Sequence, residues 1–98
     1  MNLSIYKFPF KVTDYQKISM PKGARILSAQ TQNEFPCIWA ICDAKTEEKE
    51  EREFEVFGTG NPFYENSHFG KEHKFVGTFQ LSNGSFVGHL FELVDIVA

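Results

Sequence analysis

Apolar residues along this chain recur mainly at every second position, in short runs broken by turn residues. That two-residue period marks half-buried strands. Ser4 to Val12 alternates in part, with Ile5, Tyr6, Phe8 and Phe10 as its apolar members, and Pro9 confines it to an edge or breaks it. Tyr15 to Met20 puts Gln16, Ile18 and Met20 on one face and Tyr15, Lys17 and Ser19 on the other. Arg25 to Gln32 reads as a third strand. Cys37 to Asp43 is apolar on both faces, as a central covered strand would be. Phe54 to Phe57, Phe75 to Leu81 and Ser85 to Leu93 complete the set.

The punctuation agrees. Thr13-Asp14 is a turn, and Pro21-Lys22-Gly23 is a stronger one, with Gly23 at the positive-φ position. Asn33-Glu34-Phe35-Pro36 closes a hairpin. The charged run Lys45 to Glu53 reads as a hairpin tip or one helical turn, and residues 63–74 as a long irregular loop. Asn83-Gly84 between two alternating segments predicts a type I′ hairpin. No amphipathic helix longer than about two turns is visible. The expected fold is mainly β: one domain over residues 1–98, a small antiparallel barrel or sandwich of about six or seven strands with little helix.

Composition and charge narrow the function classes. Ninety-eight residues can bury a core without a disulfide or metal staple. Eleven phenylalanines exceed what so small an interior needs, which points to an oligomer interface or a binding pocket. A net charge of −3 argues against general nucleic-acid binding. Cys37 and Cys42, five apart on one strand, would lie roughly 16 Å apart and on opposite faces, so they read as unbridged apolar residues of a reducing compartment. The first residues lack the pattern of a secretory signal, and no run approaches the ~20 apolar residues that span a membrane.

The candidate chemistry is that of binding. Gln30 and Gln32 are expected to share a face with Ile26 and Ser28, and Gln80 one with Val76 and Thr78. Amides both donate and accept, so with Trp39 they could read the edge of a planar ligand stacked on the indole. The Gly58-Thr59-Gly60-Asn61 segment could cradle a phosphate on its N–H groups, or be only a tight strand-end turn. Arg25 could clamp a phosphate; Arg52, inside the acidic run, reads as a surface ion pair. Glu47, Glu48, Glu50, Glu51 and Glu53 read as a solvated tip, with nucleic-acid mimicry as the alternative. His68 and His73, five apart, fit no zinc spacing and read as a solvated loop. His89, mid-strand among Val87, Phe91 and Leu93, reads as a hydrogen-bonded histidine before a catalytic base. No nucleophile motif occurs, and neither a metal nor a cofactor is expected.

Several stretches taken in order carry a resemblance: Ile5-Tyr6-Lys7-Phe8-Pro9, Thr13-Asp14-Tyr15-Gln16, Met20-Pro21-Lys22-Gly23-Ala24-Arg25-Ile26-Leu27, Trp39-Ala40, Gly58-Thr59-Gly60-Asn61-Pro62 and Val76-Gly77-Thr78-Phe79-Gln80-Leu81. Together they resemble a family of small proteins of unknown function encoded by bacteriophages and prophages. The 63–74 loop is longer than that family's usual connection. The resemblance implies no catalytic residues, only a context: a phage protein in the cytoplasm of an infected bacterium. There the expected role is counter-defence, by a homo-oligomer that sequesters a small nucleotide-like immune signal. Tyr6 and Trp39 would stack, Gln30, Gln32 and Gln80 would read the edge, and Thr59, Gly60 and Asn61 with Arg25 would hold phosphate. The alternatives are an inhibitor docked on a host defence protein and a small nucleotide-acting enzyme centred on His89. No membrane partner is expected.

Overall fold

The structure is a computed structural model describing residues 2–97. It has seven strands: β1 (Leu3–Pro9), β2 (Tyr15–Pro21), β3 (Arg25–Gln32), β4 (Phe35–Asp43), β5 (Lys49–Gly58), β6 (Lys71–Leu81) and β7 (Phe86–Asp95). They form two antiparallel sheets, a three-stranded one in the order β1-β4-β3 and a four-stranded one in the order β2-β5-β7-β6. The sheets are not closed on one another, so of the two expected architectures the sandwich is the one formed. Among the described residues the only helical piece is one 3₁₀ turn, Ser82–Gly84.

Alternation decides what goes inside. On β4, Ile38, Ala40 and Cys42 point inward and meet Met20 of β2, Phe54 of β5 and Leu90 of β7. Met20, Ile38, Phe54 and Leu90 are fully buried. Side chains of this kind each contribute roughly 1.5–3 kcal/mol by leaving water. Phe10, just past β1, packs edge-on against Phe79 of β6 at 5.2 Å and so ties the two sheets together. Its N–H donates to the Pro36 carbonyl at 3.1 Å.

Two β-bulges, at Ile26/Ser28 and Phe75/Gly77, bend the strands where the sheets come nearest. A Cβ at Gly77 would stand 2.8 Å from the Ala29 nitrogen, so glycine is required for β6 to lie this close to β3. The bulges also revise the expected faces. Ile26 sits opposite Ala40 and packs on the core, while Ser28, Gln30 and Gln32 lie outside. Val76 likewise packs on the core, apart from Thr78 and Gln80.

Three local expectations change. The acidic run is a strand from Lys49 onward, because Glu51 and Glu53 pair with Ser19 and Lys17 of β2; its first residues form the crossing from β4 in one sheet to β5 in the other, not a hairpin tip. The type I′ geometry falls at Asn33-Glu34, with φ of 51° and 68° between the paired Gln32 and Phe35. The Asn83-Gly84 hairpin instead uses four residues between Leu81 and Phe86, three of them at positive φ. The two turns are joined, since the Ser82 N–H donates to Glu34 Oε1 at 2.6 Å.

Candidate functional site

The outward side chains of the β1-β4-β3 sheet form an uncovered face. Register places Lys7, Trp39 and Ser28 in one row across the three strands. The row on one side is Ile5, Ile41 and Arg25; on the other it is Pro9, Cys37 and Gln30, with Gln32 and Phe35 beyond. Arg25, Gln30, Gln32 and Trp39 therefore come together on one surface, as neighbours of the indole row. Lys7, which the sequence did not single out, joins them: its Nζ donates to Gln32 Oε1 at 2.6 Å.

This face is cationic although the chain is acidic. Its charged members are Lys7, Arg25 and, at one end, Asp43. Arg25 is exposed and has no carboxylate within 4.0 Å among the described residues. It lies between two hollows. One, of about 360 Å³, is lined by Leu3, Lys22, Ile41 and Asp43. The other, of about 280 Å³, opens at the β3–β6 seam beside Lys74, Phe75, Arg52 and Glu92. Arg52 is not the surface pair expected of it. Its Nε and Nη2 donate to the two oxygens of Glu92 at 2.6 and 2.9 Å, and Nη1 donates to the Ala24 carbonyl at 2.5 Å. Glu92 is buried, and the bond to it raises the Arg52 guanidinium above its ordinary value. Arg52 is thus a strut between β5, β7 and the start of β3, while Arg25 keeps its donors for solvent or a ligand.

The remaining expected residues lie elsewhere. Tyr6 sits opposite Ala40, so it points away from the Trp39 face and lines a crevice with Phe8, Pro21 and Lys49. Two aromatic walls on opposite sides of one sheet cannot hold one ligand between them. Gln80 is exposed on the outer side of the other sheet, opposite Val87. Thr59, Gly60 and Asn61 form a tight turn with Gly60 at φ +88°. Two of its N–H groups are engaged internally, Thr59 to the Val87 carbonyl and Asn61 to the Gly58 carbonyl, both at 3.1 Å. The turn therefore lacks the free donors that a phosphate cradle needs.

His89 is held from both sides. Its Nε2 hydrogen-bonds Thr59 Oγ1 at 2.8 Å and its Nδ1 hydrogen-bonds Thr78 Oγ1 at 2.9 Å. Both nitrogens are occupied by threonine hydroxyls, the hydrogen-bonded arrangement expected of a structural histidine.

Sequence reasoning missed a polar cluster on the outer side of the β2-β5-β7-β6 sheet. Glu55 is buried there; its Oε1 accepts from Ser67 Oγ at 2.9 Å and from His73 Nε2 at 2.5 Å. His68 Nδ1 is 3.5 Å from Oε2, and its ring stacks on Tyr15. His73 is on β6, not in a solvated loop, and its side chain is nearly buried. Phe63 covers the cluster by packing on Phe57, Phe91 and His73. The signal available was the alternation of Glu53, Glu55 and Phe57, but a carboxylate in that position reads as solvent-facing. Neither this cluster nor any other group of three or more His, Cys, Asp or Glu side chains among the described residues is arranged to hold a metal ion, and no described helix is long and apolar enough to cross a membrane.

Fold and site define a class: a small antiparallel β-sandwich with one sheet covered by a loop and the other left open and cationic. The chain belongs to the family described as Domain of unknown function (DUF7352), which matches residues 1–96. No curated protein and no solved structure matches the chain.

Proposed function

We propose that the protein is a non-catalytic binding module that holds a planar, anionic, nucleotide-like molecule on the open face of the β1-β4-β3 sheet. One observation carries the reading: Trp39, Gln30, Gln32 and an unpaired Arg25 converge on that face, with Lys7 beside them. An indole offers a stacking platform, the amides offer edge donors and acceptors, and the guanidinium offers a bidentate clamp for phosphate. Sheet faces with central aromatics hold nucleobases in this manner elsewhere. The likeness to phage-encoded proteins supplies the setting: sequestration of a nucleotide immune signal in an infected bacterium, by a homo-oligomer whose open faces meet. A second reading has its own support. Leu3, Ile5 and Phe35 on the same face are 50–70 % exposed, so a host defence protein could dock there instead.

Trp39 is the chain's one tryptophan, so its fluorescence reports on this face alone. Mono-, di- and cyclic nucleotides titrated into the protein are expected to quench or shift that emission. By calorimetry, Trp39→Ala is expected to weaken binding by roughly 1–3 kcal/mol, the range for base–aromatic stacking. Unchanged affinity in Trp39→Ala would remove the indole from the site. Silence with every nucleotide, together with capture of one defined host protein that Ile5→Glu abolishes, would favour docking.

A further inference from the structure

A hollow of about 420 Å³ opens on the opposite side of the molecule from Trp39, where the 58–64 segment folds back beside the β1–β2 turn. Its walls are aromatic, formed by Phe57, Phe86 and Tyr64, and its only ionisable acids are Asp14 and Glu55. Neither lysine, arginine nor histidine lines it. The Asp14 carboxylate makes no hydrogen bond or ion pair among the described residues; only its backbone carbonyl is engaged, accepting from the Val56 N–H at 3.3 Å. Glu55 is 7 % exposed, and both its close donors, Ser67 and His73, fall on Oε1. Oε2 has only His68 Nδ1, at 3.5 Å, and keeps contact with solvent, so this carboxylate oxygen lacks a short donor and stays open to one.

We propose that this hollow binds a cationic arm, an alkylammonium or guanidinium group. An accessible carboxylate oxygen without a short donor favours a charged one, and Asp14 at the rim adds a second carboxylate. Aromatic faces attract the same cation through their quadrupoles and exclude water from the carboxylates. Asn61, also in the wall, adds an amide oxygen as acceptor. An anion is disfavoured here by the same two carboxylates, so the hollow and the Trp39 face select opposite charges. The arm could belong to a free polyamine or to a lysine or arginine of a partner protein.

The test titrates ¹⁵N-labelled protein with Nα-acetyl-lysine methylamide, spermidine and, as the neutral match, Nα-acetyl-norleucine methylamide. The cationic probes are expected to move the amides of Asp14, Gly58, Asn61 and Tyr64, and the norleucine probe to leave them in place. Asp14→Asn, at an exposed position where folding is not at stake, is expected to weaken the response about fivefold, as is Tyr64→Leu. Tighter binding of spermidine would assign the arm to a free amine, and tighter binding of the lysine probe to a protein side chain. The proposal is overturned if norleucine and lysine probes act alike, if no probe moves these amides, or if Asp14→Asn binds as well as the native chain.

Discussion

Glu53 sits between a phenol and an ammonium. Tyr15 donates to its Oε2 at 2.7 Å, and Lys71 reaches its Oε1 at 3.2 Å while also holding Asp95 at 2.8 Å. The Tyr15 bond is the main cause that holds the Glu53 carboxyl below its ordinary value, and Lys71 adds to it. The same bond pushes the Tyr15 phenol up. The linkage sign follows: a depressed carboxylate stabilises the fold in full above its unfolded value, and that contribution is lost as pH falls through the lower folded value. Tyr15→Phe is expected to raise the Glu53 titration midpoint toward the ordinary range and to flatten the acid limb of the stability curve. A carboxyl-carbon NMR titration of both proteins checks it. An unmoved Glu53 midpoint in Tyr15→Phe would mean that Lys71 alone sets the shift.

The Arg52–Glu92 pair spans elements and is where charge is most committed to the fold. Both side chains are largely buried, and the pair is bidentate, with a third bond to the Ala24 carbonyl. Removing one partner leaves the other charged and buried, which typically costs about 3–5 kcal/mol. Glu92→Gln and Arg52→Met are each expected to fall in that range by urea unfolding. The double change Arg52→Met with Glu92→Leu is expected to recover much of the loss, since an apolar pair removes both desolvation penalties. Equal loss in the double and single variants would place the value of Arg52 in its Ala24 bond.

That pair also shows what could be read from the sequence and what could not. The strands were legible because each carries its own two-residue period, and β4 announced its centrality by being apolar on both faces. Partnership was not legible. β2 pairs with β5 across a long stretch of chain, and only that pairing turns the acidic run from a tip into a strand. The bulges were hidden too: one extra residue leaves composition unchanged but moves Ile26 and Val76 inward. Arg25, Gln30, Gln32 and Trp39 could be gathered because they lie on adjacent strands with a short hairpin between. Tyr6, Gln80 and the Thr59–Asn61 turn could not, because face and sheet depend on long-range register. Glu55 with His73 and Ser67 was invisible because each residue, taken alone, reads as solvated.

The two outer faces of the sandwich are treated differently, and this sets the expected behaviour of the protein in solution. The four-stranded sheet is covered by the chain itself, through Phe63 and the Ser67–His68 segment. The three-stranded sheet has no such cover, and Leu3, Ile5 and Phe35 stand exposed on it. An apolar strip beside a cationic centre is what a second copy would bury, with its own Trp39 brought opposite across a two-fold axis. A stable contact of this kind needs on the order of 1,000 Å² in total, within reach of a three-stranded face and its flanks. Sedimentation velocity is expected to show a mass that rises with protein concentration. Ile5→Glu, placing a charge in the row of Ile41 and Arg25, is expected to weaken self-association by at least about tenfold, as loss of a central contact does. If a nucleotide-like ligand lies between the two faces, its affinity must rise with protein concentration and fall in Ile5→Glu, because ligand and partner then stabilise the same dimer. A protein that remains monomeric throughout, yet still binds ligand with Trp39 quenching, would mean that one open face suffices and that the exposed apolar strip serves a different protein.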